Sequence, residues 1–386
     1  MKKTITAIIF SITAMALLPL LSSNGNNIIT ETAAIISEPT SYEKKIESPS
    51  VDSPHQNEST TTSEETQKTD DISSQGEIST NEISEASGSD TGNGFIKNLS
   101  FKILDTSSGE IITVDDREFC CGALAYEMLP GFEKEALTAQ CIACYTHFCR
   151  LREQQREDPD SKLKGADFAA DLSADQFYIS DASMKKKWGK LYEQSRKNIE
   201  AAVENCGGTV LIDKDGKLID AAYHAISSGI TENASDIFGK QDDHLTAVAS
   251  PWDKSSADYM STKEVSISDF YKALFSISDD PELSLNKNDK LGKIERTASG
   301  SVKKITIGHE SFDGQKMRTA FDLRSSDFDL SINNDKVTFT VRGYGHGVGL
   351  SQNGAQCMAQ EGSDHKEILM HYYSNCILSS YKGISS

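Results

Sequence analysis

R-G-Y-G-H-G-V-G-L-S-Q-N-G-A occupies positions 342–355 and packs five glycines, a histidine and a Ser-Gln pair into fourteen places. Glycine loses more backbone entropy on ordering than any other residue, so an alternating run of it is costly unless the chain must turn sharply or lie close to something. The residues just ahead, 337–341, alternate apolar and polar side chains as a strand does. Those behind, Leu350, Ala355, Met358 and Ala359, recur at helical spacing. The stretch reads as strand, glycine-lined loop, helix, with His346 in the loop and Ser351 near the helix start. A phosphate-binding P-loop is excluded because no Gly-Lys-Ser/Thr follows, and a dinucleotide fingerprint would need G-x-G-x-x-G opening a βαβ unit. A glycine turn serving shape alone stays open on this segment.

Further blocks flank it. R-E-F-C-C-G-A-L-A-Y-E-M-L-P-G-F-E-K-E-A-L-T-A-Q spans 117–140, A-Y-H-A-I-S-S-G-I-T-E-N spans 222–233, V-A-S-P-W-D spans 248–253 and E-I-L-M-H-Y-Y spans 367–373. Glu127 in the first block has Leu124, Ala125, Met128 and Leu129 around it and lies just before Pro130. An apolar setting disfavours the charged form of a carboxyl and keeps it an acid near neutral pH. Glycosidic cleavage needs such an acid beside the scissile oxygen. A helix-end carboxylate with no chemistry is the competing reading. In the second block His224, Ser227, Ser228, Thr231, Glu232 and Asn233 offer short polar side chains that can bond sugar hydroxyls in either direction, or satisfy their own turn. Trp252 can stack on a sugar face or on the core. His346, Ser351 and Gln352 are the candidates of the glycine motif, and Gln140 that of the first block.

Together the ordered blocks resemble the signatures of the stage II sporulation protein D family, whose first block carries E-M-P or E-M-x-P before a P/F-x-E-A-L-K-A-Q helix, and whose second reads F-H-S-x-S-G-G-x-T-E-N. The resemblance implies a lytic transglycosylase that cuts peptidoglycan glycan strands. Glu127 falls on the family's catalytic glutamate. One such residue suffices: it protonates the bond between N-acetylmuramic acid and N-acetylglucosamine, then takes the proton of the muramic C6 hydroxyl as a 1,6-anhydro ring closes. The implied partners are glycan strands, a cell-wall amidase and a polytopic membrane protein of an engulfment complex. A non-catalytic, glycan-binding activator of an amidase is the alternative. A zinc peptidase is not supported, since no H-E-x-x-H occurs.

The chain also departs from the family pattern. Where some members carry D-x-x-H-C-Q, with zinc-binding His and Cys, this chain has D-L-S-A-D-Q at 171–176, with Ala174 and Asp175 at those positions; no metal and no cofactor are expected. The family's A-A-R-T-Y becomes Ala143-Cys144-Tyr145-Thr146-His147, so its arginine is lost. Ala225 and Ser228 replace a serine and a glycine. The eight cysteines read as buried small hydrophobes, with a zinc site at Cys141, Cys144 and His147 or a disulfide as alternatives.

At the other end, Lys2 and Lys3 precede an apolar stretch, 4–21, a pattern between a secretory signal and a spanning helix. The resemblance implies an uncleaved anchor over 1–23, with the body outside the cytoplasm, in the space between forespore and mother cell. Residues 38–95 hold thirteen Asp and Glu against three Lys, more than half of the chain's net charge of −19. Such a stretch buries little, so 24–95 is expected to be a disordered acidic tether. This acidity repels phosphates and argues against nucleic-acid binding. The folded body is then 96–386, large enough for two lobes. Helices are expected over 133–152 and 185–205, a hairpin from 209–212 and 218–223 around Asp-Lys-Asp-Gly, and strands over 302–307 and 337–341. Helices and antiparallel strands in separate runs make an α+β fold around a glycan-binding groove.

Overall fold

The computed structural model describes residues 94–278, 291–333 and 335–383; the expected anchor, and the tether up to residue 93, lie outside the described residues. Two hydrophobic cores organise the fold. In the first, β1 (Ser100–Asp105) pairs antiparallel with β2 (Ile111–Asp115). The Asp115 carboxylate then caps α1 (Asp116–Glu127) by accepting from the amides of Arg117 and Glu118. Pro130 disfavours helical geometry at Leu129, and the helix ends on Glu127 with Met128 already extended. α2 (Lys134–Glu157) runs longer than the expected 133–152 and is buried along most of its length, because other helices pack on several of its sides. Alanines and cysteines at its contacts let those helices approach. Its Arg152, fully buried, forms a bidentate pair with Asp116 at 2.9 Å and lies 4.1 Å above the Phe101 ring. This buried cation sits two turns beyond Tyr145, the residue standing at the family's arginine.

β3 (Phe168–Ala170) adds parallel to β1. The D-L-S-A-D-Q stretch after it is a short 3-10 turn, capped by Asp171 and closed by Asp175 in the left-handed region. The single helix expected over 185–205 is two, α3 (Asp181–Trp188) and α4 (Tyr192–Cys206), because Gly189 takes a positive φ of 50° between them. The expected hairpin also shortens. Asp213 and Gly216 do form the turn after β4 (Thr209–Ile212), and Ile212 bridges Leu218, but pairing stops there. β5 (Tyr223–His224) leaves to pair elsewhere, and a short α5 (Ala234–Phe238) follows.

The second core belongs to a module inserted before the glycine motif. β6 (Met260–Ser266) leads into α6 (Ile267–Ile277). β7 (Leu291–Arg296), β8 (Val302–Ile307) and β9 (Glu310–Asp313) make one antiparallel sheet and run into α7 (Gly314–Ala320). β10 (Phe328–Asn333) and β11 (Lys336–Arg342) make another with β6. Val337, Phe339 and Val341 alternate inward along β11, as their spacing predicts, onto Phe270, Phe321 and Phe328.

The chain then returns to the first core. β12 (Leu350–Ser351) pairs parallel with β5, α8 (Gln352–Gln360) starts on a Ser351 cap, α9 (His365–Tyr372) starts on a capping box of Asp364 and Glu367, and β13 (Ile377–Ser380) pairs with β4. The fold is α+β, as expected, with a few parallel pairs. All eight cysteines are free; seven are buried and Cys357 is half-buried. Desolvation pushes the Cys121 thiol up to about 12.

Candidate functional site

Glu127 ends α1 inside the protein, with 2% of its surface exposed. Desolvation is the main influence on it and pushes its carboxyl up to about 8, against the opposing hydrogen bonds of Tyr223 and Gln352. The Tyr223 hydroxyl donates to Glu127 Oε1 at 3.1 Å and also lies 3.5 Å from Cys144 Sγ. The acid therefore stays protonated at neutral pH.

The glycine motif forms the opposite wall. Its backbone runs alongside the second block: Tyr344 and Ile226 exchange amide bonds at 2.7 and 2.9 Å, the Glu232 amide donates to Gly347 O at 2.7 Å, and the Leu350 amide donates to Ala222 O at 3.1 Å. The approach is too close for side chains. At Gly349, φ +73°, a Cβ would lie 2.0 Å from Ala222 O; at Gly345, φ +112°, it would lie 2.7 Å from His224 Cβ. Between the walls lies a narrow cavity of about 10 Å³, about the room one water needs, lined by Glu127, Tyr223, His224, Ala225, Gly345, His346 and Gln352. A sugar ring does not fit inside it.

The two histidines, 5.8 Å apart between ring centres, are fixed through one residue, Val348. His224 Nδ1 lies 3.1 Å from Val348 O, and a carbonyl only accepts, so Nδ1 carries the proton and Nε2 a lone pair. His346 Nδ1 accepts from the Val348 amide at 3.0 Å, so its proton sits on Nε2. Desolvation lowers His224 to about 4 and holds His346 well below its ordinary value. Both rings are neutral at physiological pH.

A second buried carboxylate, Asp253, ties the blocks together. It accepts from the Ser227 amide (3.0 Å) and hydroxyl (2.5 Å), from the hydroxyls of Ser250 (2.9 Å) and Ser351 (2.8 Å), and from Asn353 Nδ2 (3.0 Å). The Tyr372 hydroxyl extends this network to Ser250 at 2.8 Å.

The expected site residues thus divide. Glu127, His224, His346 and Gln352 meet at the cavity; the others do not line it. Ser227 and Ser351 hold Asp253, and Ser351 also caps α8. Thr231 Oγ1 accepts from the Val248 amide, and Asn233 Oδ1 from the Ala247 amide, so both fasten a loop. Ser228 accepts from the Tyr259 hydroxyl through its carbonyl. Glu232, expected among the sugar-binding side chains, instead receives Thr297 Oγ1 and the Ser301 amide from the inserted module. Trp252 donates to Glu361 and meets His371 edge-on instead of facing the cavity. Gln140 is fully buried and does not line the cavity, and its side-chain amide has no hydrogen-bond partner. Tyr223 and Asp253 were not expected. Tyr223 entered only as the last residue of the expected hairpin, and Asp253 closes the third block, where only Trp252 was singled out.

Fold and site together define an α+β protein with one buried, protonated carboxyl facing two neutral histidines across a narrow cavity. A family model described as stage II sporulation protein matches residues 105–212. The chain is 33% identical over 282 residues to stage II sporulation protein D of Bacillus amyloliquefaciens, covering 73% of this chain and 79% of that one. It is 33% identical over 284 residues to stage II sporulation protein D of Bacillus subtilis, with the same shares covered. It is also 26% identical over 309 residues to the amidase enhancer of Bacillus subtilis, covering 67% of this chain and 40% of that one. The chain belongs to the stage II sporulation protein D family.

Proposed function

We propose that this protein is a peptidoglycan lytic transglycosylase acting in sporulation on peptide-stripped glycan strands, with Glu127 as acid and then base. The observation that carries the proposal is the state of Glu127: buried, held as a neutral acid at physiological pH, and opening on a cavity that admits one polar group at a time. The acid gives its proton to the glycosidic oxygen between N-acetylmuramic acid and N-acetylglucosamine. The carboxylate left behind takes the proton of the C6 hydroxyl as that oxygen closes onto C1. A substrate group seated in the cavity displaces the one water it has room for, which favours the internal hydroxyl over hydrolysis.

The proposal includes an N-terminal membrane anchor, a body outside the cytoplasm, and work beside a cell-wall amidase and a polytopic membrane protein at engulfment. The test is mass spectrometry of peptide-free strands digested by the full-length chain and by Glu127→Gln. Wild type is expected to leave 1,6-anhydro-muramic ends, and the variant to lose about 10³-fold in rate, as removal of a general acid does. Reducing ends from the wild type, or a normal rate from the variant, would defeat the proposal. Similarity to an amidase enhancer supports a second reading, a glycan-bound activator of an amidase. That reading predicts glycan binding without cleavage, and amidase stimulation that survives Glu127→Gln.

A further inference from the structure

The turn between β7 and β8, residues 297–301, seats the inserted module on the second sequence block. Ser299 Oγ donates to Thr231 O at 2.7 Å, and Thr297 Oγ1 and the Ser301 amide both donate to Glu232 Oε1, at 2.9 and 3.2 Å. Lys303 of β8 adds an ion pair with Asp236 at 2.6 Å. Glu232 itself is unevenly served. It is 2% exposed, one oxygen takes both donors, and Oε2 has no partner. Desolvation outweighs its hydrogen bonds and raises the carboxyl above the ordinary range. A buried carboxyl with an orphaned oxygen costs stability, and apolar groups of the same shape would fill this seat without that cost. Its presence calls for a reason other than stability.

The other side of Glu232 supplies one. Its amide donates to Gly347 O at 2.7 Å, its Cγ lies 3.0 Å from where a Cβ on Gly347 would stand, and its backbone bridges Val348. Val348 in turn holds both histidines, by its carbonyl at His224, whose Nε2 is left without a partner, and by its amide at His346. Hydrogen-bonded and packed groups thus run without a break from Thr297 through Glu232 and 347–348 to the two rings, the kind of contiguous network that carries coupling between separate regions. None of Thr297, Glu232, Gly347 and Val348 lines the cavity. We propose that the 297–301 turn is a positioning element of the site: seated on Glu232, it fixes residues 347–348 and so keeps the proton of His224 on Nδ1 and that of His346 on Nε2. The inserted module then sets the working geometry without giving the cavity a side chain. The inference rests on the transglycosylase reading in its kinetic arm alone.

Three variants of the full-length chain separate positioning from support. Thr297→Val keeps the shape of the side chain but removes the hydroxyl, on which the Gly300 amide also depends. Thr297→Ser restores it. Lys303→Met cuts the ion pair of the same seat without touching Glu232. The eight histidines are labelled with 15N, and the ring-nitrogen shifts, which tell Nδ1–H from Nε2–H, are assigned with His224→Gln and His346→Gln. Wild type is expected to show Nδ1–H at His224 and Nε2–H at His346, a readout that needs no variant to fold; the reverse tautomers overturn the proposal. Thr297→Val is expected to move both sets of signals and to lower kcat on peptide-free strands about 10-fold with KM changed less than about twofold, since alignment is lost and binding is not. Thr297→Ser should recover both, and Lys303→Met should match wild type in both. A Thr297→Val protein that melts earlier yet keeps its ring signals and kcat would show mere support and overturn the proposal. So would displaced rings with an unchanged kcat, or a Lys303→Met that moves the rings as far as Thr297→Val. An active Glu127→Gln would instead defeat the transglycosylase reading, and the ring signals would still decide this one.

Discussion

Glu127 and Asp253 are both carboxylates, both buried, and both reached by the 351–353 stretch, yet their surroundings differ sharply. Asp253 accepts five hydrogen bonds from four residues on three sequence blocks. Glu127 accepts from Tyr223 and Gln352 alone, and desolvation outweighs them. Burial by itself does not make a carboxyl reactive; burial with too few donors does. The saturated carboxyl fastens the walls of the site, and the starved one is left with a proton to give.

The contrast can be broken by substitution. Glu127 has a folded-state pKa near 8 against an ordinary 4.5, so its contribution to stability is complete below about 4.5 and is lost as pH rises through 8. Glu127→Gln removes that dependence. Urea unfolding should show the variant more stable than wild type at pH 9 by an amount on the order of 4 kcal/mol, with the gap closing by pH 4. An equal gap at both pH values would mean that Glu127 is not held neutral by burial. Asp253→Ala should act in the opposite direction, costing at least about 3 kcal/mol at neutral pH because buried hydroxyls and an amide lose their acceptor. A loss below 1 kcal/mol, read from the urea midpoint, would show that the serine network re-pairs without it. Tyr223→Phe is the mildest test. It should cost about 1 kcal/mol of stability and raise the Glu127 pKa further, moving the alkaline limb of the pH–rate profile upward. A downward shift would contradict the role of Tyr223 as donor to the acid.

Much of this was legible before any coordinates. Alternating residues over 337–341 and the glycines beyond them correctly announced β11, the loop and α8, because strand, turn and helix have distinct local periods. Gly189 was the unheeded signal inside the expected helix over 185–205: a glycine there can continue a helix or turn it left-handed, and only its neighbours choose. The hairpin was cut short for a different reason. The turn at Asp213 is local, but the partner of β4 is β13, more than 160 residues on, and no local pattern encodes that pairing. Polar residues at 227–233 looked like one sugar-binding set because sequence shows composition without direction; the bonds of Ser227, Thr231, Glu232 and Asn233 point into the protein.

By itself the sequence determined the apolar neighbours of Glu127, the helix stop at Pro130 and the need for glycine at 343, 345, 347 and 349, since these follow from residue chemistry and local sterics. Only the tertiary structure decided which polar groups meet that acid, which carboxyl is saturated and which is starved, and which ring nitrogen is left without a partner. Those rest largely on distances between segments far apart in the chain, such as the 96 residues between Tyr223 and Glu127, the 98 between Ser351 and Asp253 and the 124 between His224 and Val348. The free energy that fixes them comes from burying two cores around the chain, which no short stretch of sequence carries.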